Sequence, residues 1–243
     1  MQTMIGFIGG SGFENFLDAK SVEIINVTNE WGKPSQAIKK IFLGDKEFLF
    51  LQRHGDGKIL PHKINYQANI KALYDLGVRK ILASAAVGGI TIKTGKIVIP
   101  DQLIDYTYNR PQTFFEHSDT VKHVEFSQPY NHKLRSQLAK ACKDLEVEYI
   151  NEGVHGITQG PRLETSAEIQ RLKHDGCDIV GMTGMPEASL AAELNIKYAC
   201  LAHVVNPAAG VAGKSISLDG MKNEIKRGAQ NFLKILTQFL SND

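Results

Sequence analysis

Cysteine is scarce in this sequence of 243 residues, which contains only Cys142, Cys177 and Cys200. The three lie far apart along the chain, and two of them stand in apolar, strand-like stretches. Such placement argues against a fold held together by disulfides and against a catalytic thiol. It favours unpaired, buried side chains in a reducing compartment, so chemistry is expected from other residue types.

Long apolar runs and clustered charge are absent as well. No stretch approaches the about 20 apolar residues that a membrane-spanning helix requires. The formal net charge is +2 and no basic run occurs, so neither nucleic acid nor a membrane is an expected partner. The first residues, MQTMIGFIGG, have no basic segment before an early glycine pair, so we expect no signal peptide and a cytoplasmic location.

Metal-binding spacings are a further absence. The eight histidines form neither an HExxH motif nor pairs flanked by carboxylates, so no metal centre is expected. The remaining composition is that of an ordinary soluble protein, with 42% hydrophobic and 22% charged residues. A chain of this length can bury the core of one large domain.

Apolar segments of strand length alternate with segments of helical periodicity along the whole chain. The predicted strands are Met4–Ile8, Val22–Val27, Lys39–Leu43, Phe48–Leu51, Lys80–Ser84, Ile97–Pro100, Leu103–Tyr106, Glu148–Ile157, Asp178–Met182 and Lys197–Val204. The predicted helices are Ile64–Leu76, His132–Leu145, Ser166–His174, Pro186–Leu194 and Asp219–Leu240. This order predicts one α/β domain over residues 1–243, with a mixed or mainly parallel sheet covered by helices on both faces.

The motif GGSGF, residues 9–13, follows the first predicted strand. Its glycines let the backbone approach a ligand, and Ser11 adds a hydroxyl and a backbone N–H. A plain turn at the end of a strand explains the motif too. A dinucleotide-binding turn is disfavoured, because that fingerprint requires glycine where Asn15 stands.

The motif QRHG places Arg53 and His54 at the end of another predicted strand. An arginine offers a fork of donors to an oxyanion, and a neighbouring imidazole adds one more. The alternative is an exposed Arg-His pair that binds no ligand. The Ala85-Ala86 backbone and Thr183 also follow predicted strands. Since carboxyl ends of strands meet at one edge of such a sheet, these groups together predict an anion site that needs no metal.

Glu164 and Asn206 suit the edge of a purine. A 6-oxopurine presents N1–H as a donor and O6 and N7 as acceptors, which a carboxylate and an amide match. Adenine reverses the demand at position 6, where an acceptor would be required. The alternative for Glu164 is a carboxylate that interacts with the dipole at a helix N-terminus.

Several independent stretches resemble one known family. They are GGSGF, QRHG, PHKINYQANI, SAAVGG, RPQTFF, QGPRLETSAE and GMTGMPE. The chain is similar over nearly its whole length to trimeric purine nucleoside phosphorylases, in the branch with methylthioadenosine and methylthioinosine phosphorylases. The resemblance implies a mixed, partly barrel-like central sheet flanked by helices, a homotrimer, and inorganic phosphate as co-substrate with no cofactor.

The resemblance also implies roles for individual residues. Phosphate would be bound by Ser11, Arg53, His54, Ala85, Ala86 and Thr183. The nucleoside would contact Leu163, Glu164, Met182, Asn206, Ala208, Leu218 and, from a neighbouring subunit, His123. Glu164 would orient the base, and Asn206 would bond N7 as negative charge develops on the leaving group.

Departures from the family pattern predict the substrate. Adenine-specific members carry a pair of aspartates where this chain has Asn206 and Ala208, and a small hydroxyl residue where it has Glu164. Leu218, in SISLDGM, replaces a histidine that binds the 5′-hydroxyl, which favours a methylthio group. We therefore expect S-methyl-5′-thioinosine, with inosine or guanosine as the alternative and methylthioadenosine next. A shortened loop near Lys58 lacks a further histidine, which leaves part of the phosphate contact open.

Three other functions remain open from the sequence. A hydrolytic nucleosidase would use water in place of phosphate, and Arg53 and His54 argue against it. An oxidoreductase with a dinucleotide-binding fold is disfavoured by the GGSGF mismatch. A nucleoside-binding protein without turnover would share fold and pocket.

Overall fold

A computed structural model describes residues 4–13, 22–43, 46–119, 121–213 and 218–242, with the side chain of Leu218 left out. The strands are β1 (Met4–Gly9), β2 (Val22–Ile25), β3 (Ile38–Leu43), β4 (Lys46–Gln52), β5 (Val78–Gly89), β6 (Ile97–Val98), β7 (Gln102–Asp105), β8 (Tyr149–Ile150), β9 (Val154–Ile157), β10 (Ile179–Gly181) and β11 (Lys197–Pro207). The helices are α1 (Tyr66–Asp75), α2 (His132–Asp144), α3 (Ser166–His174), α4 (Gly184–Glu193) and α5 (Leu218–Asn242). Among these helices, none combines the length and apolar character needed to cross a membrane.

The strands form a single mixed sheet in the order β2-β3-β4-β1-β5-β10-β9-β7. β11 pairs with β5 and β6, and β8 pairs with β6. β1 runs parallel to both β4 and β5, β11 runs parallel to β5, and β10 is antiparallel to β5. The predicted fold class, a mixed central sheet flanked by helices, is confirmed.

Two apolar layers lie on the two faces of this sheet. β1 supplies both, because its side chains alternate: Ile8 belongs to the layer under α1 and α4, and Phe7 to the layer under α2 and α5. In the second layer the rings of Phe7 and Phe232 stack with centroids 4.3 Å apart, which docks α5 on the sheet. The three cysteines are free and buried, as predicted, and burial raises the pKa of Cys142 and Cys200 to about 12.

β5 is longer than predicted. It continues past Ser84 to Gly89, so Ala85 and Ala86 lie inside a strand and not beyond its end. Small residues normally signal a turn, but here they permit close packing: a Cβ on Gly89 would lie 1.9 Å from the carbonyl oxygen of Ile92. The position predicted for the Ala85-Ala86 backbone was therefore wrong.

The predicted strand Glu148–Ile157 was also wrong as a single element. The structure divides it into β8 and β9, which pair with β6 and with β7 and β10 respectively. The break is at Gly153, whose φ of +150° is unfavourable for other residues and whose N–H donates to Asp101 Oδ1 at 2.8 Å. The break carries β9 to the strands that bear the site.

Candidate functional site

One cleft at the edge of the sheet brings together all but two of the predicted site residues. Its empty space is about 930 Å³, including the open mouth. The predicted residues that line it are Ser11, Arg53, His54, Ala85, Ala86, Leu163, Glu164, Met182, Thr183, Asn206 and Ala208. Their convergence follows from the topology, since all of them except Leu163 and Glu164 sit on, or just after, a strand of the same sheet. Leu163 and Glu164 reach the cleft from the loop between β9 and α3.

In the middle of β5, one side of the main chain has no neighbouring strand among the described residues and borders the cleft. β1 pairs with β5 only as far as Ala83, and β10 pairs only from Gly88 onward. On that edge, no described strand pairs with the residues between. Ala85 and Ala86 are therefore available to the cleft through a gap in strand pairing, although they are not at the strand's end.

Gly10, which follows β1, is hydrogen-bonded to Ser84 and to Gln52 beside the cleft. Gly10 N donates to Ser84 Oγ at 2.8 Å, and Gln52 Nε2 donates to the Gly10 carbonyl at 3.1 Å. A side chain at position 10 would crowd its neighbours, because a Cβ there would lie 3.0 Å from Arg53 Nη1 and 3.1 Å from the Ser84 carbonyl oxygen. Glycine in GGSGF thus serves close approach between strand ends, and it leaves Ser11 lining the cleft.

Arg53 is 1% exposed and forms a fully buried ion pair with Glu187. Its Nε and Nη2 donate to the two carboxylate oxygens at 2.9 and 2.6 Å, and Nη1 donates to the Ser84 carbonyl at 2.6 Å. Glu187 also accepts from Tyr198 Oη at 2.7 Å. The donor fork that the sequence assigned to an anion therefore faces a carboxylate, and only the remaining Nη hydrogens are left for a ligand.

Glu187 has a structural role that the sequence did not reveal. It lies in the first turn of α4, within the motif GMTGMPE, and is 1% exposed. A buried carboxylate requires a cation, and Arg53 is 134 positions away in the sequence. The available signal was an acidic residue inside an otherwise apolar, buried stretch.

His54 and the short loop after it form one turn. His54 Nδ1 lies 2.8 Å from the Ile59 carbonyl, which accepts its proton, and Lys58 N donates to the His54 carbonyl at 3.1 Å. Lys58 itself is exposed. The shortened loop is thus a compact turn that sets the orientation of the His54 ring beside the cleft.

Thr183 is the N-cap residue of α4, and its side chain makes no capping bond to that helix. It lies two positions after β10, with Met182 between them. The φ and ψ of Met185 and Pro186 are not helical, so α4 is kinked immediately after its first residue, Gly184. Thr183 and Met182 thus bring a hydroxyl and a thioether to the same wall of the cleft.

Glu164 precedes α3 without capping it. The N-cap is Thr165, which forms a capping box with Glu168. The carboxylate in the first turn of this helix is therefore that of Glu168, whereas the alternative interpretation had given Glu164 the interaction with the helix dipole. Glu164 is partly buried, and its Oε1 accepts from Thr158 Oγ1 at 2.6 Å. Arg162 pairs with Glu168 and helps to lower the pKa of that carboxyl to about 2.

Asn206 lies near the end of β11 and is 8% exposed. The pairing of β11 with β5 shifts register between Val204 and Asn206, and such irregularities re-aim a side chain. Asn206 Nδ2 donates to the Pro207 carbonyl at 2.7 Å. Ala208 follows two positions later and lies against Gly88: a Cβ on Gly88 would be 3.5 Å from the Ala208 Cβ and 3.1 Å from Val180 Cγ1, so Val180 would have to move.

Arg110, in the motif RPQTFF, joins two walls of the cleft. Its Nη1 donates to the carbonyls of Met182 and Met185 at 2.9 and 2.6 Å, and its Nη2 donates to the Gln159 carbonyl at 2.8 Å. Burial lowers the pKa of this guanidinium. The sequence gave no sign of this role, because backbone carbonyls as partners leave no motif.

Two predicted residues stand apart from the cleft. His123 is exposed in an extended segment and does not line it. The side chain of Leu218 lies outside the described residues. From α5, Met221 and Ile225 line the cleft instead, and the sequence had not singled them out. In the described ranges, no group of three or more His, Cys, Asp or Glu side chains is placed to hold a metal ion.

The chain is similar to one protein family, to named relatives and to solved structures. The model of the phosphorylase superfamily matches residues 4–241. A probable S-methyl-5′-thioinosine phosphorylase of Xylella fastidiosa is 49% identical over 215 residues, which cover 86% of this chain and 91% of that protein. A 6-oxopurine nucleoside phosphorylase of Pyrococcus furiosus is 40% identical over 241 residues, 96% of this chain and 90% of that one. The methylthioadenosine phosphorylase from Schistosoma mansoni in complex with adenine superposes with a TM-score of 0.92 at 31% identity, covering 99% of this chain and 91% of that one.

Proposed function

We propose a reaction for this chain from the premise that it belongs to the phosphorylase superfamily, whose model matches residues 4–241. Inorganic phosphate attacks C1′ of a 6-oxopurine nucleoside and releases the free base. The preferred nucleoside is S-methyl-5′-thioinosine, so the products are hypoxanthine and 5-methylthioribose 1-phosphate. No further cofactor enters the reaction.

The observation that carries this proposal is the meeting of Glu164 and Asn206 in one cleft. The carboxylate accepts from N1–H of a 6-oxopurine, and the amide donates toward N7 or O6. Adenine has no proton on N1 and carries a donor at position 6. An ionised carboxylate therefore opposes adenine at the position where it attracts hypoxanthine or guanine.

The relatives divide in the same way. Those with 49% and 40% identity are named for methylthioinosine and for 6-oxopurine nucleosides. The adenine-bound methylthioadenosine phosphorylase is less similar, at 31%. The named substrates of the more similar proteins thus support the 6-oxopurine choice.

Phosphate is the nucleophile, so no side chain needs to form a covalent bond. As the C1′–N9 bond breaks, a bond forms between C1′ and a phosphate oxygen, and the purine leaves as an anion that takes a proton from solvent. Asn206 bonds N7 as that charge develops, and such a preorganised donor stabilises a transition state strongly. Glu164 and Leu163 hold the base in line for attack.

We assign the phosphate to the end of the cleft at which Arg53 lies. Ser11 and Thr183 supply hydroxyl donors there, and the stretch of β5 at Ala85 and Ala86, which no described strand pairs on one side, supplies backbone groups. His54 adds an Nε2–H donor in its cationic form, because its Nδ1 proton is given to the Ile59 carbonyl. Arg53 contributes through its remaining Nη hydrogens, while Glu187 balances its charge. Met182 also lines the cleft, and we assign its side chain to the ribose.

Inosine or guanosine is the second candidate, favoured by the 6-oxopurine nucleoside phosphorylase among the relatives. The 5′ substituent distinguishes the two. The apolar side chains Met221 and Ile225 of α5 line the cleft, which favours a methylthio group over a hydroxyl.

The proposed working unit is a cytoplasmic homotrimer in which His123 reaches the cleft of a neighbouring copy. The exposure of His123, together with its absence from the lining of its own cleft, supports this arrangement. Sedimentation at micromolar concentration measures the assembly, and a monomer with full activity would contradict it.

A turnover panel tests the reaction. The purified chain is given methylthioinosine, inosine, guanosine and methylthioadenosine, each with and without phosphate, and free base is measured. We expect phosphate-dependent release that is fastest from methylthioinosine. Release without phosphate would indicate a nucleosidase, and tight binding without release would indicate a binding protein.

A further inference from the structure

Thr158 follows β9 directly and places its hydroxyl 2.6 Å from Glu164 Oε1. The same hydroxyl lies 3.3 Å from the Gly181 carbonyl. A threonine hydroxyl has one proton to donate, and the shorter distance assigns it to the carboxylate. At 2.6 Å the contact has the length of a charge-assisted hydrogen bond.

The backbone of Thr158 is held at both of its polar groups. Its N–H donates to the Gly181 carbonyl at 2.8 Å, and its own carbonyl accepts from Arg110 Nη2 at 3.3 Å. A β-branched side chain also has few rotamers available. The hydroxyl is therefore fixed relative to the sheet, whereas Glu164 lies on the loop between β9 and α3.

This bond constrains what Glu164 can recognise. One carboxylate oxygen is turned toward Thr158, which leaves the other oxygen, an acceptor, for a ligand. A ligand that presents a proton gains a charge-assisted bond, and a ligand that presents a lone pair meets repulsion. To accept adenine, the carboxyl would have to become a donor, and the bond from Thr158 would then be weaker.

We infer that Thr158 is a specificity-determining residue, which fixes the Glu164 carboxylate as an acceptor and thereby selects 6-oxopurines over 6-aminopurines. The inference rests on the proposed function of the cleft. Thr158 does not line the cleft itself, so we expect it to act on the choice of base through Glu164 alone.

Two variants separate the hydroxyl from the shape of the side chain. Thr158→Val keeps the branched form and removes the hydroxyl, and Thr158→Ser does the opposite. We expect Thr158→Val to lower kcat/KM for methylthioinosine about tenfold, as for one lost bond to a charged group. The ratio of kcat/KM for methylthioinosine to kcat/KM for methylthioadenosine should fall by a similar factor, and the KM for phosphate should not change. Thr158→Ser, which keeps the hydroxyl, should have the ratio of the unsubstituted protein.

Thr91→Val is the matched control. Thr91 Oγ1 donates to Asp178 Oδ1 at 2.5 Å, so this variant loses a threonine–carboxylate bond of the same kind. Thr91 does not line the cleft. Its kinetic constants for both nucleosides should therefore equal those of the unsubstituted protein.

Three results would overturn the inference. Thr158→Val could keep the original selectivity for the base. Thr158→Ser could lose as much selectivity as Thr158→Val, or Thr158→Val could change the kinetic constants for both nucleosides and for phosphate by the same factor.

If the unsubstituted protein shows no phosphate-dependent turnover, the proposed function fails by itself. Calorimetric binding of hypoxanthine and adenine then decides: a Thr158→Val loss confined to hypoxanthine supports the inference, and equal affinities or no binding of either base refute it.

Discussion

The two ends of the cleft are held by different kinds of structure. At the anion end, Arg53 and Glu187 are each 1% exposed, and their bonds join the end of β4, the middle of β5 and the start of α4 inside the core. At the base end, Glu164 and the 44% exposed Leu163 lie on a surface loop. The anion end is therefore part of the packed interior, whereas the base end is formed by a loop at the surface.

This difference separates stability from selectivity. A change among buried charges leaves a desolvated partner behind, so it damages the whole fold. A change on a loop alters recognition at little cost to packing. We therefore expect phosphate binding at the anion end to be the same whichever base the nucleoside carries. The base end should decide which purine is accepted.

The largest effect is expected from Glu187→Ala. Arg53 would be left buried without its carboxylate, which costs about 3–5 kcal/mol. Urea unfolding followed by circular dichroism measures the loss, with Glu47→Ala as the control because Glu47 makes its ion pair with Lys40 at the surface. Equal stability of the two variants would mean that the buried pair does not hold the anion end together.

Asn206→Ala should be next in size, and its effect is on catalysis. Loss of one donor to the departing base should lower kcat/KM for methylthioinosine on the order of 10²-fold. Steady-state kinetics measure it, alongside Asn206→Asp, which should shift preference toward methylthioadenosine. An Asn206→Asp protein with an unchanged ratio of the two nucleosides would contradict the assignment of this residue to the base.

A dependence of stability on pH should come from His155, which lies behind the anion end. It is fully buried beside Tyr130, and burial lowers its pKa to about 4. The unfolded chain takes up this proton near pH 6.5, so stability is complete above that pH and falls as the pH drops toward 4. The loss between pH 6.5 and 5 should be about 2 kcal/mol.

The matched variant is His155→Gln, which cannot titrate. Urea unfolding at several pH values should give a shallower acid slope for this variant, whatever its absolute stability. Parallel slopes for the two proteins would place the acid sensitivity elsewhere, for example in the loop at the base end.

The sequence predicted the order of elements and most of the cleft, because each short motif stands on or after a strand and parallel strands meet at one edge. It could not predict partners that are distant in the chain. Glu187 and Arg53 are 134 positions apart, and Arg110 binds backbone carbonyls that no residue type marks. It also misjudged β5, since alanines and glycines predict a turn unless the neighbouring strands are known to require close approach.

The smallest effect is expected from Thr165→Ala, next to Glu164 at the base end. Thr165 caps α3 through the N–H of Glu168, and loss of such a cap costs about 1 kcal/mol. Because Glu164 is held by Thr158 and not by this cap, the ratio of kcat/KM for methylthioinosine to that for methylthioadenosine should not change. Thermal unfolding and the two rate constants measure both quantities in one preparation. The ratio of the two kcat/KM values could instead fall as we expect for Thr158→Val. The cap of α3 would then orient the loop that carries Glu164, and selectivity for the base would depend on helix capping more than on the hydroxyl of Thr158.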